Sequence, residues 1–254
     1  MAIPRREDGD FIEGIYNWCD RWCERCSMTT KCRQYAMDCT RDAFNADGSR
    51  DGDNTEFMES LMCAAGEFEN QAELEENAEF ENGFDEVDSD LDPTDSEFNE
   101  FDMDAYMAER ERIERATSET VCVKAADHYM MEGGRWLEEW DILVEQLAED
   151  SDEISDALEV VSWYLFQLTV KLRRAVSGKI EAEYDYMDDV YGSAKVVLIG
   201  ADRSLDAWLK IQRALPAGQR DSLDNVIDIL RDMIAFTEAE IPEARPFKRP
   251  GFDD

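Results

Sequence analysis

The chain has 254 residues with 62 Asp and Glu against 26 Lys and Arg, a formal charge of -36, and 43% of its residues are hydrophobic. That apolar share is enough for a core, which excludes global disorder, while so negative a charge repels phosphate backbones and anionic membranes and argues against nucleic acid or a membrane surface as partner. The longest apolar stretch, 160–172, is interrupted by Ser162, Gln167, Thr169 and Lys171 and is too short to span a bilayer.

In chain order, residues 1–10 carry Arg5 and Arg6 with no apolar run behind them, so a cytoplasmic protein in a reducing compartment is expected. Residues 1–66 read as a cysteine-rich helical metal-binding module, whose first 45 residues are near neutral, with seven basic against eight acidic side chains. A Gly-, Asn- and Asp-rich break follows at 45–54. Residues 67–104 hold 17 Asp and Glu and no Lys or Arg, with single spaced hydrophobes and Pro93. Such a composition buries too little apolar surface to offset chain entropy, and a disordered linker is expected.

From 105 to 240 the pattern is helical. Residues 104–131 and 134–148 read as a helix pair bent at Gly133-Gly134. A capping-box-like Asp150-Ser-Asp-Glu153 opens a helix over 153–178, whose stripe is Ile154, Leu158, Val161, Leu165, Leu168 and Leu172. Residues 189–214 place Val190, Ala194, Val197, Leu198, Ala201, Leu205, Trp208 and Leu209 on one face, Pro216 ends the element, and Leu223, Val226, Ile227, Leu230 and Ile234 mark the next. Long amphipathic helices joined by short loops pack antiparallel, so the fold class is all-α: a small N-terminal metal module and a four- or five-helix bundle. The tail 241–254, with three prolines, is expected to run extended, held by Phe247 and Phe252.

The chemistry concentrates in the cysteines. Cys19, Cys23, Cys26, Cys32 and Cys39 fall within 21 residues, while Cys63 and Cys122 stand apart. An odd, clustered set in a reducing compartment points to metal ligation or redox chemistry before disulfides. On a helix, Cys19, Cys23 and Cys26 at i, i+4 and i+7 share a face. If a second helix begins at Thr29 or Thr30, Cys32 lies in its first turn. Cys19, Cys23, Cys26 and Cys32 are therefore the expected ligands, with Cys39 either a ligand in another register or a bystander. Arg21, Arg25, Lys31 and Arg33 outnumber Asp20 and Glu24 between residues 19 and 33, and positive neighbours favour thiolates. Trp18, Trp22 and Tyr35 can supply an apolar shell.

The run Cys23-x2-Cys26-x5-Cys32, followed by Arg-Gln-Tyr-Ala-Met, resembles the cluster loop of WhiB-like iron–sulfur regulators, and its spacing resembles the [4Fe-4S] loop of endonuclease III-type DNA glycosylases. The resemblance covers about twenty residues and implies a [4Fe-4S] cluster. It does not imply DNA binding, because neither the basic, glycine-rich segments of the first family nor the helix-hairpin-helix of the second is present. Four cysteines serve a structural zinc ion equally well, and spacing alone leaves both open.

Other constellations read more plainly. His128 is the only histidine, which removes the paired Glu-x-x-His motif of di-metal bundles. Glu159, Asp202 and Asp206 are conceivable as a carboxylate site, but ion pairs with Lys171, Lys195 and Arg203 are the commoner arrangement. Asp88, Asp90 and Asp92 begin like a calcium loop that Pro93 spoils. Gly192 and Gly200 follow no strand and precede no Gly-Lys, so they make no phosphate loop. The chain is thus expected to be a metal-cluster protein with a redox, sensing or structural role. The competing expectation is an interaction protein with a structural zinc site, whose acidic segment captures a basic protein partner. A third reading, a bundle enzyme with a carboxylate metal site, needs at least two buried carboxylates converging across helices, and enzyme status stays open, leaning to no.

Overall fold

The computed structural model describes residues 11–46, 103–181 and 187–253. Their packing divides the chain into two units, one of Met1–Phe11 with Thr29–Met103 and one of Ile12–Met28 with Asp104–Asp254. The acidic segment up to residue 102, its calcium-loop-like aspartates and Cys63 lie outside the described residues.

In the first unit, a 3-10 turn at Thr29–Lys31 leads into α1, Arg33–Ala46. Cys32 sits immediately before α1, and its carbonyl accepts the Ala36 N–H at 3.2 Å. Gln34 Nε2 donates to Asp38 Oδ1 at 3.1 Å one turn on, an i, i+4 brace typical of an exposed helix face. Cys39 is half-buried on α1.

The second unit is built from α2 (Met103–Glu119), α3 (Val121–Glu139), α4 (Asp141–Asp150), α5 (Asp152–Glu181), α6 (Met187–Ala214) and α7 (Asp224–Glu240), and no strand occurs among the described residues. The expected stripes are the buried ones. Ile154, Val161, Leu168 and Leu172 of α5 are at most 6% exposed, as are Val190, Ala194, Val197, Leu198 and Ala201 of α6. Acidic residues open both helices, Asp152 and Glu153 on α5 and Asp188 and Asp189 on α6, while Lys179 and Arg213 close them, matching the helix dipoles.

Cross-links fix the directions. Arg174 meets Asp189, Tyr164 faces Gly200 and Lys210 reaches Glu153, so α5 and α6 run antiparallel. Thr169 donates to the Ala126 carbonyl and Arg173 binds Asp127 and Ser118, which sets α3 antiparallel to α5. Asn225 donates to Glu132 and Trp136 to Ser222, while Gln212 donates to Asp224, so α7 is antiparallel to both α3 and α6. The ring α3–α5–α6–α7 is a four-helix bundle, with α4 packed on α3 and α5. At its centre the buried Trp208 donates to Tyr129 Oη at 2.9 Å and meets Trp136 edge-on at 5.5 Å.

Two expectations fail here for physical reasons. The helix does not bend at Gly133-Gly134. α3 runs through both glycines, and the breaks come at Thr120 and Trp140. A Cβ at Gly133 would stand 2.7 Å from Leu165 Cδ1, so this glycine exists to let α5 approach, not to punctuate. The tail is not extended either. Phe247 N donates to the Glu243 carbonyl and Asp253 N to the Arg249 carbonyl, and Ile241 and Ala244 are buried.

Candidate functional site

The segment Ile12–Met28 carries Cys19, Cys23 and Cys26 and packs with the bundle. It is not the expected helix: residues 13–18 form turns, Arg21 adopts a left-handed φ of 57°, and Cys23–Arg25 is a single 3-10 turn. The three cysteines therefore do not share a helix face. Tertiary anchors outcompete helix formation. On a helix, Trp18 and Trp22 would point the same way, whereas here they dock on different helices.

Trp18 fills a notch on α6, where a Cβ at Gly192 would lie 2.3 Å from the indole Cδ1, and it meets Phe247 edge-on at 5.0 Å. Trp22 stacks on Trp163 of α5 at 5.0 Å and 15°. Gly192, which the sequence already excludes from a phosphate loop, is the seat of an aromatic anchor. Gly200 serves α5 in the same way, receiving the Tyr164 ring.

Between the two tryptophans, Asp20 is the polar latch. Its carbonyl accepts Trp163 Nε1 at 3.2 Å and Gln167 Nε2, and its carboxylate accepts Tyr164 Oη at 2.5 Å and Arg203 at 2.8 Å. The other carboxylate oxygen accepts the Trp22 N–H, an Asx turn that supports the left-handed Arg21. Burial, joined by the Asp20 charge, pushes the Tyr164 hydroxyl well above its ordinary pKa, so it stays a donor.

Arg25 leaves the 3-10 turn, lies 4.2 Å over the Trp22 ring, and donates to Asp156 at 2.6 Å and to Glu159, both on α5. Glu159 is thereby accounted for, Asp202 is bound by Arg245, and Asp206 is exposed, so these carboxylates form no site. Glu159 and Asp202 do form ion pairs, but with Arg25 and Arg245 instead of the Lys171, Lys195 and Arg203 expected. His128 is exposed, 4.0 Å from Glu132.

These anchors leave a cavity of about 350 Å³ beside the segment, lined by Cys19, Cys26, Asp20, Trp22, Arg25, Arg203, Arg249 and Phe252 among others. Cys26 Sγ accepts the Met28 N–H at 3.4 Å, and Cys19 Sγ donates to the Tyr16 carbonyl at 3.5 Å. Burial pushes the Lys171 ammonium of α5 below its ordinary pKa. Two of the expected ligands thus share one cavity. Cys23 does not line it, and Cys32 belongs to the other unit.

Among the described residues, no three His, Cys, Asp or Glu side chains are grouped to hold a metal ion. Cys122 is buried in the bundle core, where burial pushes its thiol up to about 11. Arg203, Arg249 and Phe252 line the cavity without having been expected there, and the last two, some 230 residues beyond Cys19, are brought in only by the folded tail. Comparisons with family models, curated proteins and solved structures yield no match, so the chemistry rests on these residues alone.

Proposed function

We propose that the chain is a metal-cluster-binding protein in which the loop of Cys19, Cys23 and Cys26 ligates a [4Fe-4S] cluster, with Cys32 as the fourth ligand on sequence spacing. The observation that carries the reading is the convergence of two thiols with three guanidinium groups in one cavity of a strongly acidic protein. A thiolate-ligated cluster is anionic, and Arg25, Arg203 and Arg249, each already paired with a carboxylate, would offer it their remaining N–H donors. Trp22 and Phe252 supply apolar surface to the lining, which would limit water at a bound cluster. The two thiols that line the cavity are donors of the right kind, and the short 3-10 turn at Cys23 is the part that ligation would draw inward, since thiolate binding and local folding are coupled. Such a cluster would supply one-electron redox chemistry or a structural brace.

Single serine substitutions test the assignment. In anaerobically purified protein, Cys19→Ser, Cys26→Ser, Cys23→Ser and Cys32→Ser should each lose most of the brown visible absorption. Cys122→Ser should keep it. Full absorption in Cys19→Ser and Cys26→Ser together would reject the cavity as the site.

A further inference from the structure

We propose that the C-terminal turn over residues 247–253 is a clasp that closes the Cys19–Cys26 cavity and sets how far solvent and reagents reach its two thiols, with Arg249 and Phe252 as site residues and Asp253 as the lock.

Three sets of contacts hold this turn against the cysteine segment and the neighbouring face of α6. Phe247 packs edge-on against Trp18, and its carbonyl accepts Lys195 Nζ of α6. Gly251, at φ +76°, lies so close to the segment that a Cβ there would meet Ile12 at 2.8 Å and Ile15 at 3.0 Å, with Met28 next at 3.2 Å. Asp253 joins the turn to the bundle: it accepts from Arg249 Nε at 2.9 Å and Nη2 at 3.1 Å and pairs with Lys195 at 3.0 Å. All three side chains of this lock are under 20% exposed, unlike most ion pairs among the described residues. Arg249 in turn lies 4.9 Å over the Phe252 ring, so one lock orients both cavity-lining residues.

The geometry fits a strap better than a structural strut. The bundle ring is complete at α7, before the turn begins, and the turn's own contacts are with the cysteine segment and the neighbouring face of α6. Breaking the lock should therefore free the turn and leave the bundle closed. The proposal builds on the reading of the cavity as the metal site, but its test does not need metal.

The full-length chain, with metal removed by chelation, is treated with iodoacetamide at neutral pH, and labelling of each cysteine is followed by peptide mass spectrometry in wild type, Asp253→Ala and Lys195→Gln. Cys19 and Cys26 should label about tenfold faster in Asp253→Ala, with a smaller rise in Lys195→Gln, a tenfold change corresponding to ~1.4 kcal/mol in the local opening equilibrium. Cys122, sealed in the core at 1% exposure, reports global opening and should stay unlabelled. Unchanged labelling of Cys19 and Cys26 overturns the clasp, and so does labelling of Cys122 in step with them. Either result concerns the clasp alone, whereas native protein that binds no metal rejects the metal reading alone.

Discussion

Gly192 and Gly134 occupy helix interiors with opposite surroundings. An added methyl at Gly192 would drive into the Trp18 indole at 2.3–2.6 Å, whereas at Gly134 the nearest atom, Leu165 Cδ2, is at an ordinary 3.8 Å. Helix propensity favours alanine at either position by about 1 kcal/mol. At Gly134 nothing opposes that gain, so Gly134→Ala should raise the urea midpoint by the equivalent of ~0.5–1 kcal/mol. At Gly192, overpacking of ~1–3 kcal/mol outweighs it, so Gly192→Ala should lower the midpoint and release Trp18. A midpoint that rises in Gly192→Ala would show that Trp18 does not sit in this notch. The anchoring is mainly aromatic. Each half-buried indole removes on the order of 100 Å² from water, ~2–3 kcal/mol, against at most about 1 kcal/mol for an exposed pair such as Arg25 with Asp156.

Amphipathic stripes made α5, α6 and α7 readable, because a long helix with one apolar face has one way to bury it. Where a tertiary contact decides the backbone, the pattern misleads. Cys19, Cys23 and Cys26 have helical spacing, yet Asp20, Trp18 and Trp22 tie the segment to two different helices and unwind it. The Gly133-Gly134 pair likewise looks like punctuation until Leu165 is placed against it. The bundle elements also have a pH signature of their own. Burial pushes the Cys122 thiol up to about 11 and the Tyr129 hydroxyl up to about 12, each above its ordinary value. The unfolded chain therefore releases these protons first: stability is intact below about pH 8.5 and falls as pH climbs toward 11–12, by up to ~1.4 kcal/mol per pH unit for each group. Urea unfolding between pH 8 and 11 should show this decline, and Cys122→Ala should lose the part that begins near pH 9. A flat profile would mean that the two groups are not sealed from water.

For the molecule as a whole, the charge of -36 acquires a local meaning at the cysteine segment. The sequence places basic residues where the cysteines gather. The structure shows what two of the nearby guanidiniums do: Arg25 reaches the carboxylates of α5, and Arg203 of α6 reaches back to Asp20. The remaining wall comes from the far end of the chain, which no local pattern could have revealed. Two thiols, three guanidiniums and two aromatic rings in one cavity are the basis for the metal reading. The most direct measurement is an inventory of iron, acid-labile sulfide and zinc per chain in protein purified without oxygen. Stoichiometric iron and sulfide with a broad visible band near the blue end are the predicted result. Colourless protein with one zinc per chain would replace the cluster with a structural ion, and protein free of both metals would contradict the account.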